Sequence, residues 1–403
     1  MHIHPFRNRM FQALLLAAIL STSTILSACK LYLPTAAPPA LPPASPLPPS
    51  ASPAPAITTL PATATATTPP ASPTPLAPTQ TPAPTHTPPS ASPTPQLSLI
   101  GPENVTDLQK INKVQENGAQ FFTFANQGQS FALAAGGEIM LYNTPPSLIR
   151  TSIPAENITI LTASADQRAL AWANQQNDIR LVNIPQPSQS YTITSTGGPV
   201  TSLAFAPSGS QLASANYENQ LKLWDTANGQ ISKNWDLPYW LSNLSYSPDG
   251  TQIGGADLPN FSVHILDAAS GKEIKSLTWS ESASPALYGA YFSPDWKTIA
   301  WVARGTVQLM SVENGKLGPL LSHEDAVNAV AWSPNSTLLA TATAATVDGN
   351  FVPVVEVWSA DSGKTLNTLV LSNPAIQIAF SPDGKRLATL DSNGTLQFWA
   401  VQG

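Results

Sequence analysis

A single phrase recurs seven times along the last three hundred residues, and it fixes the architecture more tightly than any other feature of the chain. In its clearest form it is an aromatic residue, Ser-Pro-Asp-Gly, and a short apolar run ending in Ala. Phe380-Ser-Pro-Asp-Gly384 leads to Leu387-Ala388, Tyr246-Ser-Pro-Asp-Gly250 to Ile253, Phe292-Ser-Pro-Asp295 to Ile299-Ala300, and Phe205-Ala-Pro-Ser-Gly209 to Leu212-Ala213. Looser copies are anchored at Trp332, Phe124 and Ala163. The anchors stand at 124, 163, 205, 246, 292, 332 and 380, so the intervals are 39, 42, 41, 46, 40 and 48 residues. A period of about 40–45 residues is the length of one four-stranded propeller blade.

Each unit has a physical reading. The stretch before the anchor, as in Val200-Thr-Ser-Leu-Ala-Phe205 or Ala375-Ile-Gln-Ile-Ala-Phe380, is apolar enough for a buried inner strand. Pro then withholds a ladder donor and Asp-Gly supplies turn geometry, so the chain reverses into a second strand. A third strand follows about nineteen residues after the anchor, as in Leu221-Lys-Leu-Trp-Asp225, Val355-Glu-Val-Trp358 and Leu396-Gln-Phe-Trp399. Polar turns such as Asn228-Gly-Gln230, Ala269-Ser-Gly-Lys272 and Asp361-Ser-Gly-Lys364 then lead into a fourth. No unit carries a helical period.

With these residues in place the chain resembles the WD-repeat family, whose blades end their third strand in Trp-Asp, as at Trp224-Asp225. The resemblance covers residues 103–403 and implies an all-β fold, a seven-bladed β-propeller of four-stranded blades. Departures are visible: Trp358-Ser359, Trp399-Ala400, Leu266-Asp267 and Met310-Ser311 occupy the same place in other units, and the family's Gly-His pair survives only as Ser322-His323. TolB-like propellers share the Ser-Pro-Asp-Gly turn, and the three Trp residues at the third-strand position favour the WD type. The last copy stops after its third strand, at Gln402-Gly403, while a strand-like segment, Val105–Val114, lies upstream of the first anchor. Unpaired edges are avoided in closed sheets, and family propellers close with an N-terminal strand, so that segment is expected to complete the last blade.

The first hundred residues have another character. Residues 1–28 combine Arg7 and Arg9 with an apolar stretch from Phe11 to Leu20, the pattern of an export signal. The signal ends in Leu26-Ser-Ala-Cys29, which resembles the bacterial lipobox and implies a lipidated Cys29, with residues 29–33 as the anchored N-terminus. Cys29 is the only cysteine, so no internal disulfide can form. Residues 34–97 are almost wholly Pro, Ala, Ser and Thr, without Asp, Glu, Lys or Arg. That composition buries too little to offset ordering entropy, and it is expected to form a disordered stalk with a reach of about 200 Å when extended as polyproline II. The expected location is a cell membrane, lipid-anchored on the extracytoplasmic side.

The formal charge of −6 becomes −8 once Arg7 and Arg9 are cleaved off, and no Asp or Glu precedes Glu103. Without a basic stripe, nucleic acid is not an expected partner. Nothing points to a cofactor or a metal, because His264 and His323 are the only histidines in the propeller and stand on different blades. His264 reads as a packed strand residue and His323 as the family's structural His. What remains is surface. By the resemblance, the loops before each inner strand and those joining second to third strands share one face that binds partners. They contain Tyr217 with Glu218, Tyr239, Trp240, Tyr288, Arg304, Glu324, Asp325 and Phe351, and Tyr217, Tyr239, Trp240, Arg304 and Phe351 are the residues expected to hold a partner. One such loop is long: Trp332 to Trp358 is 26 residues against 19 in two other units, and Asp348-Gly349 should form a hairpin tip presenting Asn350 and Phe351. The expected function is a membrane-anchored binding module for an envelope or extracellular protein or peptide. An exported propeller enzyme with its site on the same face, and a passive envelope component, stay open as alternatives.

Overall fold

The computed structural model describes residues 96–403 apart from 145–146, 167, 185–189, 195–196 and 280–286. Cys29, the signal, residues 29–33 and the stalk up to residue 95 lie outside the described residues.

Seven antiparallel four-stranded sheets follow one another, and they are numbered here as blades one to seven from the strand Phe121–Ala125. Blade four is representative: Ser242–Tyr246 runs innermost, then Gln252–Asp257, Ser262–Asp267 and Glu273–Thr278 outward. Among the described residues the only helical turns are three short 3-10 segments, Val105–Asp107, Asn126–Gly128 and Leu258–Asn260.

The core lies between blades rather than within them. Seven apolar clusters each join two neighbours, and the seventh, with Phe122, Phe124 and Phe131 of blade one against Leu390, Leu396 and Phe398 of blade seven, closes the ring. Phe398 sits 5.1 Å from Phe131 and 6.2 Å from Phe124, ring to ring. Burying a side chain of that size contributes about 1.5–3 kcal/mol, so each seam is a substantial part of the whole. Gln377 adds a polar clasp at the same seam. Its amide accepts from Phe122 N and donates to Phe122 O, both at 2.9 Å, so one side chain imitates a strand partner.

The recurring turn has a specific chemistry. In blade four Ser247 Oγ donates to Asp249 Oδ1 at 2.6 Å and accepts from Gln252 N at 2.9 Å. Ser293 with Asp295 and Thr298, and Ser333 with Asn335 and Leu338, repeat the pattern. The serine is buried, so its hydroxyl must be satisfied from within, and the Asx side chain two residues on does so. The fifth position of the turn has positive φ, as at Gly250 (72°) and Gly384 (69°); in blade five Trp296 takes it at 60°, stacked 4.5 Å from Phe292.

Closure follows the expected route with a shifted boundary. The strand is Gln109–Gln115, paired antiparallel with Thr395–Ala400, and residues Val105–Asp107 instead form a 3-10 turn. Val105 is fully buried and its carbonyl accepts from Asn367 Nδ2 of blade six, so this turn serves as a plug under the closing strand. Pairing also reaches upstream of residue 103: Leu97 bridges Gln402, Ser98 N donates to Val401 O, and Gly403 N donates to Gln96 O.

Candidate functional site: one rim of the propeller

Because every inner strand runs from the loop that precedes it towards the Ser-Pro-Asp-Gly turn, each antiparallel blade puts two kinds of connection on one rim. These are the loops between blades and the turns between second and third strands. The expected partner-binding residues all fall on this rim, in two groups.

The first group belongs to blade three. Tyr217, in the turn after Gln211–Asn216, and Trp240, in the loop after Ile231–Asp236, meet with ring centroids 5.0 Å apart and planes inclined at 56°. Tyr217 is 39 % exposed, so the pair is an aromatic corner open to solvent. Tyr239, next to Trp240, turns inward. Its ring stacks on His264 at 3.6 Å and its hydroxyl donates to Glu273 Oε2 at 2.7 Å, so one ring face and the phenol proton are already engaged.

The second group belongs to blades five and six. Arg304 is exposed in the turn between Thr298–Ala303 and Thr306–Ser311, and Tyr288 is 51 % exposed near the start of Leu287–Phe292. In blade six the long connection is not a loop. Leu338–Val347 and Asn350–Ser359 pair without interruption as a ribbon that outruns its neighbours and turns at Asp348 (φ 50°) and Gly349 (φ 77°). Two positive φ values are the signature of a tight hairpin turn matched to strand twist. Phe351, directly across from Thr346, is 60 % exposed.

Each edge of the ribbon has a group that is already engaged. Thr346 N donates to Glu324 Oε2 at 3.0 Å and its hydroxyl to the same oxygen at 2.8 Å. On the other side Pro353 has no N–H to offer, and its carbonyl accepts from Leu371 N.

His264 is the centre of a cluster that sequence reasoning did not assemble. Its Nδ1 lies 2.7 Å from Glu273 Oε2, and its Nε2 lies 3.0 Å from Ser262 Oγ and 3.7 Å from Asp257 Oδ2. Burial opposes a charged ring here, but the two carboxylates outweigh it and raise the imidazole above its usual value. Glu273 is held below the usual carboxylate range, first by the Tyr239 hydroxyl and then by His264. The contact chain from serine through histidine to carboxylate has the spacing of a hydrolytic triad. Ser262, His264 and Asp257 are all buried, so the arrangement lies beneath the surface rather than in an open cleft.

His323 takes the place expected of the family's structural histidine. Nε2 lies 2.9 Å from Thr341 Oγ1, to which Trp358 Nε1 donates at 2.9 Å. Burial pushes this imidazole down to about 4, so it is neutral at physiological pH. Trp224 Nε1 to Ser214 Oγ and Trp399 Nε1 to Thr389 Oγ1 repeat the tie in blades three and seven. Among the described residues no three His, Cys, Asp or Glu side chains gather as a metal site.

Three stretches, residues 187–225, 315–351 and 363–400, match the family described as "WD domain, G-beta repeat". Each begins near the outer strand of one blade and continues into the next, and the chain thus carries WD repeats. It is similar to the transcriptional corepressor LEUNIG_HOMOLOG of Arabidopsis thaliana, 23% identical over 63% of this chain and 31% of that protein. Periodic tryptophan protein 2 of Arabidopsis thaliana is 21% identical over 67% of this chain and 25% of its own length. Telomerase protein component 1 of Mus musculus is 24% identical over 59% of this chain and 8% of its own length. The chain thus spans less than a third of each of these relatives.

Proposed function

We propose that the chain is a protein-interaction scaffold that docks its partner on the rim bearing Tyr217, Trp240, Arg304 and Phe351. In this reading it is held at the extracytoplasmic side of a cell membrane by a lipid on Cys29, and its partner is another envelope or extracellular protein or peptide. The observation that carries the docking face is the combination of an open aromatic corner on blade three with an edge-capped ribbon on blade six, both on one rim. Aromatic and Arg side chains are the types that dominate binding energy. Large aromatics are otherwise spent in the seams between blades, so exposed ones on one rim call for an occupant.

Affinity capture from envelope extracts tests this. Truncating two hot-spot aromatics removes about 2 kcal/mol or more each, so Trp240→Ala with Phe351→Ala should weaken partner recovery by well over tenfold. Alanine at Ser270, Lys272, Asn314 and Lys364, in turns of the opposite rim, should leave recovery unchanged. Thermal melting of each variant separates lost binding from lost fold, since Trp240 also packs on Tyr217. A folded double variant that still captures the partner, with loss at the opposite rim, puts the face on the wrong side. In the same extracts Cys29→Ser should leave the membrane fraction; a membrane-bound, normally processed variant rules out the anchor.

A further inference from the structure

The two rims differ in charge as well as in shape. On the rim with the aromatic corner, Glu138, Glu156, Glu218, Asp236, Asp325 and Asp348 are exposed, each in a turn between second and third strands, a loop between blades, or the strand end beside one. Arg304 is the only Lys or Arg there among the described residues. The opposite rim alternates both signs, with Asp295 beside Lys297, Glu313 beside Lys316 and Asp361 beside Lys364. The chain's net charge is only −6, so this polarity is a matter of placement rather than of total.

The placement coincides with the exposed aromatics. Glu218 follows Tyr217 directly in its turn, and Asp236 ends the strand that leads to Trp240. Asp348 forms the hairpin tip with Phe351 three residues on. Lys222, on the same blade, lies in the field of Glu218 and Asp236 but is buried, and burial lowers its pKa. Aromatic faces attract cations, Trp most strongly, and carboxylates around them add a field of the same sense.

We infer that the rim takes a positively charged, extended segment of the partner, whose Lys or Arg side chains pack on the Tyr217–Trp240 corner and on Phe351 within the ring of carboxylates. This rests on the docking reading above and adds the chemistry of the partner to it. On blade six Glu324 and Pro353 occupy part of each ribbon edge, which favours recognition through side chains there. Electrostatic complementarity of this kind sets on-rate and partner choice.

Three labelled short peptides, alternating Ser with Arg, with Gln or with Glu, serve as probes in fluorescence anisotropy with the whole chain. The Arg peptide should bind about tenfold or more tighter than the Gln peptide, and the Glu peptide should not bind. Neutralising the rim with Glu218→Gln, Asp236→Asn, Asp325→Asn and Asp348→Asn should weaken the Arg peptide by about tenfold and flatten its salt dependence. The same change of charge on the opposite rim, by Asp166→Asn, Asp295→Asn, Glu313→Gln and Asp361→Asn, should matter by less than about twofold. Asn335 already serves in the recurring turn, so Asp166→Asn and Asp295→Asn keep its hydrogen bonds. Tyr217→Ala with Phe351→Ala should weaken the Arg peptide while leaving its salt slope as it was. Equal losses from the two neutralised rims, or equal binding of the Arg and Gln peptides, overturn the charge inference. If the Gln peptide binds and is lost in the Tyr217 and Phe351 variant, the docking face stands without it. If no peptide responds to any change on the rim, both fall.

Discussion

At the scale of single residues the most consequential side chain is His264, which joins blade four to the loop that carries Trp240. When protonated it pairs with Glu273 and Asp257 against the Tyr239 ring, next to the residue that forms the aromatic corner. The folded-state pKa of His264 is raised, so its contribution is complete below its unfolded value, 6.5, and is lost as pH rises through the folded one. Glu273 is depressed, so its contribution is present above its unfolded value, 4.5, and is lost as pH falls. The two overlap most between about pH 5 and 6.5. The difference in melting temperature between the protein and Glu273→Gln should therefore peak in that window and shrink on both sides. Glu273 is partly exposed, which keeps the effect modest and salt-sensitive. A difference that is flat in pH shows that Glu273 acts on His264 by packing alone. None of this was legible in the sequence, because Tyr239, Asp257, His264 and Glu273 come from a loop and three strands and carry no spacing signal. His264 in Val263-His-Ile-Leu-Asp267 shows only as a strand residue, and Tyr239 only as an aromatic in a rim loop.

At the scale of elements the turns were the legible part. Ser-Pro-Asp-Gly is dictated by local chemistry, a buried hydroxyl, an Asx acceptor and a positive φ, so it marks each blade whatever the neighbours do. The turns between third and fourth strands are equally local; at Gly271, with φ +70°, a Cβ would sit 2.4 Å from the Trp235 ring of blade three. The hairpin tip at Asp348-Gly349 was legible for the same reason, whereas the ribbon's extent was not, because Thr343–Val352 has no alternation to announce it. The closing strand shows the limit of pattern: Val105 to Val114 looks continuous, yet Val105 is drawn into the seam with blade six and the ladder starts only at Gln109. Closure makes a prediction. Deleting residues 98–114 removes most of a four-stranded blade's outer strand and the plug beneath it, and should lower the melting temperature far more than deleting residues 34–95. Equal melting of the two truncations contradicts a ring closed by this strand.

At the scale of the whole molecule the ring is a scaffold with two unlike rims. Stability lies in seven seams between blades, so residues on the rims are free to vary, and the proposed docking face draws on blade three and blades five and six. The charge polarity of the rims was open to the sequence only once each carboxylate had been assigned to a turn, since composition alone gives a mildly acidic chain. The docking face is tested most directly by amide hydrogen exchange on the captured complex against the free chain. Partner binding should slow exchange at residues 216–219, 237–241 and 346–352, with little change at residues 269–272, 313–316 and 361–364. Protection confined to that second set, with the ribbon and the Tyr217–Trp240 corner exchanging as in the free protein, contradicts the account.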